Sequence, residues 1–247
     1  MQQLVNFIGS LSLNNMSYRT VSLYLNAISY IHKIHGFQDT TKCFIVSKTL
    51  EGLRRSVGTN KDQRIPISFE LFHKIIHSLP NVCSSGYESA LFSAAFTLTF
   101  YGLLRVSETL ALNFSDITIK NQNLCQITIQ SSKTDQIGQS VKVDIASHTE
   151  SIISPITILN NFLLLREGLQ RNDKLLTHLN SKPLTKYQFQ AILQKALQFI
   201  GVTGHFRSHS FRIGMATELA KQGLSDTEIK AKGRWRSTSY LTYIRRQ

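Results

Sequence analysis

Apolar residues recur at helical spacing through the first third of the chain. Leu4, Phe7, Ile8 and Leu11 form one stripe. Val21, Leu23, Leu25, Ile28, Ile31 and Ile34 form a second, closed by Gly36 in the place where a helix end favours glycine. A third, shorter helix is predicted over about residues 44–53, leading into Arg54 and Arg55. Residues 58–66 are polar, rich in breakers and without period, so they read as a linker. Ser68 then caps a helix whose apolar face is Leu71, Ile75 and Leu79 and which stops before Pro80. A long apolar helix over about residues 88–104 belongs at the centre of a core. The period next changes to two: residues 126–130 and 141–145 alternate as strands around a polar segment, 131–140, that contains Gly138. Ser154-Pro155 opens another helix, and Thr185-x-x-Gln188 and Ser225-x-x-Glu228 are capping boxes. The pattern predicts a mainly α protein with a small antiparallel β-sheet: a helical N-terminal domain (residues 1–57), a basic linker (58–67) and a mostly helical C-terminal domain (68–247) that carries the sheet.

Charge adds a partner to this picture. The formal net charge is +13, and it is concentrated at the two ends. Residues 1–67 carry 8 basic and 3 acidic side chains, residues 68–200 carry 11 and 9, and residues 201–247 carry 9 and 3. Two basic regions around a near-neutral middle suit a protein that meets one polyanion from two sides, although a solvated basic surface has the same composition. Cys43, Cys83 and Cys125 are scattered and odd in number, which points to reduced thiols rather than a disulfide frame or zinc knuckle. No apolar run is long enough to span a bilayer and the N-terminus lacks a signal pattern, so the expectation is a soluble intracellular protein with no membrane partner.

The candidate chemistry lies mostly in the last forty or so residues. His209 and Arg212 stand three residues apart, so they share a helix face and can hold one phosphate between them. Tyr243, in Tyr243-Ile244-Arg245, can attack that phosphate. Metal-free phosphodiester cleavage needs cations on the non-bridging oxygens, an acid for the leaving oxygen and an in-line nucleophile. Arg105, read as ending the long apolar helix, supplies a second cation, with Glu108 placed to orient it; a buried tie between helices would look the same. Lys133, near the tip of the strand pair, is a candidate proton donor or an ordinary turn lysine. Trp235 offers an indole N–H to a phosphate oxygen or serves as a core anchor, and Tyr243 reads equally as a packed helix aromatic. Tyr240, one turn earlier, is the rival nucleophile. His73-x-x-x-His77 has metal-binding spacing but no third ligand, and reads as two surface histidines. No phosphate-binding glycine loop or nucleophile elbow is present.

These residues, in this order, resemble the tyrosine recombinase (phage integrase) family, and the Gly233-Arg234-Trp235 and Tyr243-Ile244-Arg245 strings are similar to those of the Crypton-like recombinases of eukaryotic mobile elements. The resemblance implies a helical core-binding (SAM-like) DNA-binding domain followed by an α+β catalytic domain, the first starting partway in, near Leu4. It implies a site-specific recombinase or integrase that cuts and rejoins DNA through a 3′-phosphotyrosyl bond without metal, ATP or other cofactor. Arg105 and Arg212 resemble the phosphate-clamping arginines, Glu108 the acid supporting the first, Lys133 the general acid, His209 the phosphate-contacting histidine and Tyr243 the nucleophile. Trp235 fills the slot where other members carry His or Trp. The implied partner is double-stranded DNA, gripped by a clamp, with a homotetramer on paired sites, a monomer off DNA and a nuclear location. Lys33, Arg54, Arg55, Lys61, Arg64, Arg234 and Arg236 are candidate phosphate contacts. The competing expectation is a catalytically silent DNA-binding protein derived from a recombinase, or a truncated mobile-element fragment. A type IB topoisomerase shares the chemistry; the compact N-terminal helices and the Trp-to-Tyr string favour the recombinase.

Overall fold

A computed structural model describes residues 1–57, 63–130, 140–147, 154–167 and 173–245, which fall into two compact units, Met1–Asp62 and Gln63–Gln247. The first unit holds α1 (Gln2–Leu13), α2 (Tyr18–Ile34) and α3 (Phe44–Val57). Ile8, Val21, Leu25, Val46 and Leu53 form its core. Ser17 caps α2 by accepting the Thr20 N–H, and Gly36 follows the helix at φ 68°, the left-handed turn that glycine makes without steric cost. The second apolar stripe is only partly a core face. Leu23, Ile31 and Ile34 are 65%, 50% and 59% exposed, because at about 100° per residue they sit roughly 120–180° around the helix from the buried Leu25.

The second unit opens with α4 (Phe69–Val82), capped by the Ser68 hydroxyl on the Leu71 N–H. Helix α4 does not stop before Pro80. It runs on to Val82, since the fixed φ of proline is itself helical, and the Cys83 N–H closes on the Leu79 carbonyl at 3.0 Å. Helix α5 (Gly86–Tyr101) is buried on nearly every side and ends three residues earlier than expected, at a corner where Leu103 takes φ 47°. Short α6 (Val106–Ala111) and a 3-10 turn lead to β1 (Ile117–Asn121), β2 (Leu124–Ile129) and β3 (Val141–Ala146). The three strands form one antiparallel sheet in the order β1-β2-β3, with Ile127 opposite both Ile117 and Val143. After α7 (Pro155–Glu167) come α8 (Lys186–Phe199), α9 (Ser208–Lys221) and α10 (Asp226–Lys232), then a 3-10 turn at Thr238–Thr242. The Thr185 and Ser225 capping boxes form as expected. His73 is not on the surface: it is 7% exposed in α4, and burial lowers its pKa.

An aromatic core ties α4, α5, α8 and α9 together. Phe72 stacks on Phe100 with centroids 4.5 Å apart, and Phe211 packs 5.2 Å from Phe96 and 5.6 Å from Phe189. Helix α9 is buried almost all round, from Ser210 to Thr217. Part of its cover comes from the stretch read as a linker. The Ile65 N–H bonds the His205 carbonyl and the Ile67 N–H the Ser210 carbonyl, both at 3.1 Å, and Ile67 is fully buried. Gly214 makes this approach possible, since a Cβ there would sit 1.8 Å from the Ile67 carbonyl oxygen. Gly214→Ala is therefore expected to cost about 1–3 kcal/mol of stability, read as a lowered midpoint of thermal unfolding. An unchanged midpoint would mean that the strap is not held where the structure has it.

Candidate active site

Arg105 does not end α5. The chain turns through Gly102, Leu103 and Leu104, and Arg105 becomes the N-cap residue of α6. Glu108, at the third position of that helix, then meets it twice: Oε2 accepts the Arg105 N–H at 2.8 Å and Oε1 pairs with Arg105 Nη1 at 2.7 Å. Glu108 is 5% exposed. Burial alone would raise its pKa, but the Arg105 N–H and the charges of Arg234 and Arg105 outweigh it, and the carboxyl is held below its ordinary value.

Helix α9 supplies His209 in its first turn and Arg212 one turn later. Arg212 is 1% exposed, a position where an unpaired guanidinium would be very costly. Two main-chain oxygens hold it: Nη1 donates to Leu103 and Nη2 to Gly233, the latter at 3.1 Å. Its Nε has no partner among the described residues. Burial, followed by the like charges of Arg105 and Arg234, lowers the Arg212 pKa to about 10, which still leaves it cationic at neutral pH. The left-handed φ of Leu103 helps turn its carbonyl toward the arginines, and a contact of this kind cannot be read from side-chain type.

The C-terminal segment closes over this charge. Trp235 lies beneath Arg212, with the guanidinium carbon 4.8 Å from its ring centre, and the same carbon is 5.6 Å from the ring of Tyr243. The Tyr243 ring is 5.1 Å from Trp235 and 6.2 Å from His209. Tyr240 is 8% exposed and belongs to the core cluster, whereas Tyr243 is half-buried at the site. Thr217 of α9 ties down the backbone after Ile244: its hydroxyl donates to the Ile213 carbonyl at 2.7 Å and accepts the Arg245 N–H at 3.1 Å, with the Tyr243 carbonyl 3.3 Å away. Nothing in the sequence pattern marked Thr217, because a buried threonine in a helix is commonplace.

Arg105, Glu108, His209, Arg212, Trp235 and Tyr243 are thus brought to one place. Lys133 and Lys61 lie outside the described residues. Lys33, Arg54, Arg55 and Arg236 are exposed; Arg54 lies 5.8 Å from the centre of the Tyr18 ring and Arg55 pairs with Glu51 at 2.7 Å. Arg64 is close enough to His209 to shift its pKa, as is Lys186, which the sequence reading had not singled out. Arg234 departs from the expectation of a surface phosphate contact. Its Nη2 pairs with Glu108 Oε2, the oxygen that also takes the Arg105 N–H, at 2.8 Å, and Nη1 and Nη2 donate to the Gly102 and Leu103 carbonyls, respectively, each at 3.3 Å. A guanidinium committed to three internal acceptors, on a side chain only 14% exposed, presents little of itself to solvent.

Burial, then the charges of Arg64, Arg212, Arg105 and Lys186, push the His209 pKa down from 6.5 to about 4. The ring is neutral in the folded protein at neutral pH, so one nitrogen is left as an acceptor. In the unfolded chain the imidazole takes up its proton below about 6.5, so stability from this group is complete above that pH and drains away as pH falls toward 4. Because part of the ring meets solvent, only a fraction of the full linkage is expected. Thermal unfolding between pH 7 and 4 should fall less steeply in His209→Gln than in wild type; parallel curves would contradict the neutral assignment.

A mostly helical unit with a small three-stranded antiparallel sheet is the fold of tyrosine recombinase catalytic domains. The chain belongs to the phage integrase family, whose pattern matches residues 70–245. Among solved structures it is similar to the XerH site-specific recombinase in a post-cleavage complex with palindromic difH substrate, at 20% identity and a TM-score of 0.71, covering 98% of this chain and 67% of that one. It is also similar to the Tn1549 transposon integrase in complex with circular intermediate DNA (13% identity, TM-score 0.67, 100% and 81% covered). A lambda integrase dimer bound to a COC′ core site gives 16% identity and a TM-score of 0.57, with 98% and 76% covered. At these identities the likeness concerns the fold. No curated protein matches the chain.

Proposed function

We propose that this protein is a site-specific DNA strand transferase that cuts and rejoins duplex DNA through a covalent bond to Tyr243. The observation that carries this reading is the packing of the Tyr243 ring against both His209 and the buried Arg212 guanidinium. Arg212 and Arg105 neutralise the non-bridging oxygens of the scissile phosphate, whose charge grows in the transition state. The Tyr243 oxygen attacks phosphorus, the bond to the 5′ oxygen breaks, and a 3′-phosphotyrosyl ester forms. His209, neutral beside the phenol, assists in moving the phenolic proton; Lys133 gives a proton to the departing 5′ oxygen; the Trp235 indole N–H adds a contact to the phosphate. One ester replaces another, so the energy of the broken bond is kept and religation is the same reaction in reverse.

In this reading residues 1–57 are a DNA-binding domain, 58–67 a linker and 68–247 the catalytic domain. Lys33, Arg54, Arg55, Lys61, Arg64 and Arg236 contact phosphates. The working species is a homotetramer on paired sites, and the chain acts in the nucleus as the recombinase of a Crypton-like mobile element. The similarity to recombinases solved with DNA supports the substrate class. The test is to incubate the protein with a duplex carrying a nick beside the cleavage point, so that the cut fragment diffuses away, and to look for a protein–DNA adduct that survives denaturant. An adduct on the 3′ side is expected. Tight, salt-sensitive binding with no adduct would make the chain a catalytically silent DNA-binding protein instead.

A further inference from the structure

Arg234 occupies a position where the backbone favours glycine. Helix α10 is capped by Gly233 and closes in a Schellman turn: the Arg234 N–H bonds the Ala231 carbonyl at 3.1 Å and the Trp235 N–H bonds the Lys230 carbonyl at 3.0 Å. This geometry leaves Arg234 at φ 55°, where a Cβ crowds the neighbouring carbonyl and only glycine is free of strain. Both terminal nitrogens of the side chain that accompanies this strain are engaged. The side chain spans Glu108 Oε2 and the carbonyls of Gly102 and Leu103, more than a hundred residues away in sequence.

We propose that Arg234 is a positioning residue for strand cleavage, acting through Glu108 on Arg105. A carboxylate with both oxygens available takes a guanidinium side by side, through two parallel N–H bonds. Here Oε2 takes both Arg234 Nη2 and the Arg105 backbone N–H, so the Arg105 guanidinium meets Glu108 through Oε1 and Nη1 among the described residues. The remaining guanidinium donors of Arg105 are left available for a phosphate. The same arginine pins the Gly102–Leu103 corner, whose Leu103 carbonyl also holds Arg212, so one side chain sets the spacing between the two cations. This inference rests on the strand-transfer reading of the site.

The test uses Arg234→Gly, which suits the turn, and Arg234→Lys, which keeps the charge but cannot span three acceptors. Both are expected to bind duplex DNA as wild type does, and to form the adduct about a hundredfold more slowly at saturating DNA. The Glu108→Gln/Arg234→Gly double variant should be slower than Glu108→Gln alone by clearly less than the Arg234→Gly defect itself, since the two changes share the Glu108–Arg234 contact. Defects that multiply, or full rescue by lysine, would overturn the proposal. A second readout is the ¹⁵N NMR signal of Arg105 Nε–H, assigned by its loss in Arg105→Lys. It should shift in Arg234→Gly, and an unmoved signal would also overturn the proposal. If wild type forms no adduct, the strand-transfer reading fails; the NMR signal still decides whether Arg234 positions Arg105.

Discussion

Tyr243→Phe is expected to abolish the covalent protein–DNA adduct, slowing its formation by about 10⁴-fold or more, because the nucleophile is removed and nothing replaces it. The phenyl ring keeps the contacts to Trp235, His209 and Arg212, so stability should change by no more than about 0.5 kcal/mol. Duplex affinity should be unchanged, since the cations that meet the phosphates remain. Tyr240→Phe provides the comparison. Tyr240 is buried in the core cluster beside Trp235, and its variant should still form the adduct. A Tyr243→Phe protein that still forms the adduct, beside a Tyr240→Phe protein that does not, would move the nucleophile by one helical turn. Adduct formation that survives in both would reject a tyrosyl intermediate on this segment altogether.

The elements that the sequence made legible are those whose local signals agree with one another. The Ser68, Thr185 and Ser225 caps are made within four residues of chain, so no tertiary context is needed to find them. Strand β1 was missed because Ile117 and Ile119 are its only apolar positions, too short an alternation to stand out, and its identity comes from pairing with β2. Helix α2 was over-read because apolar residues on its solvent side carry no mark that distinguishes them from core. In α9 the reason is different: a helix buried all round has no amphipathic period, so Ile67 and Gly214 meet without warning from either stretch.

The site divides in the same way. Residue types and spacings pointed to Arg105, Glu108, His209, Arg212, Trp235 and Tyr243 as a group, because phosphoryl transfer demands that chemistry. How the group is held could not be read. The Leu103 and Gly233 carbonyls carry no sequence signature, and the left-handed φ of Leu103 and Arg234 sits at residues that rarely adopt it. Arg234 was assigned to the DNA surface since an arginine in a basic segment ordinarily lies there. Only the fold brings Glu108 to it.

Arg212→Lys tests whether that held geometry matters as much as the charge. Lysine keeps the formal charge, yet one ammonium cannot reach both the Leu103 and Gly233 carbonyls while facing a phosphate, and it loses the planar stacking over Trp235. Cleavage at saturating DNA is expected to fall by about 10²–10³-fold, the usual loss when one preorganised donor to a developing negative charge is removed. The stability change is the more informative half. Arg105 and Arg234 share the single carboxylate of Glu108 close to Arg212, and burial, followed by the repulsion of those two cations, already depresses the Arg212 pKa. Losing two buried hydrogen bonds costs about 2–3 kcal/mol, and the lysine ammonium, which keeps the charge, leaves the repulsion in place. Arg212→Lys should therefore lose both rate and stability, and a scissile-phosphate analogue such as vanadate should stabilise wild type more than the variant. Equal stabilisation of both, or a cleavage loss under tenfold, would mean that the two backbone carbonyls fix Arg212 for folding and not for holding the phosphate.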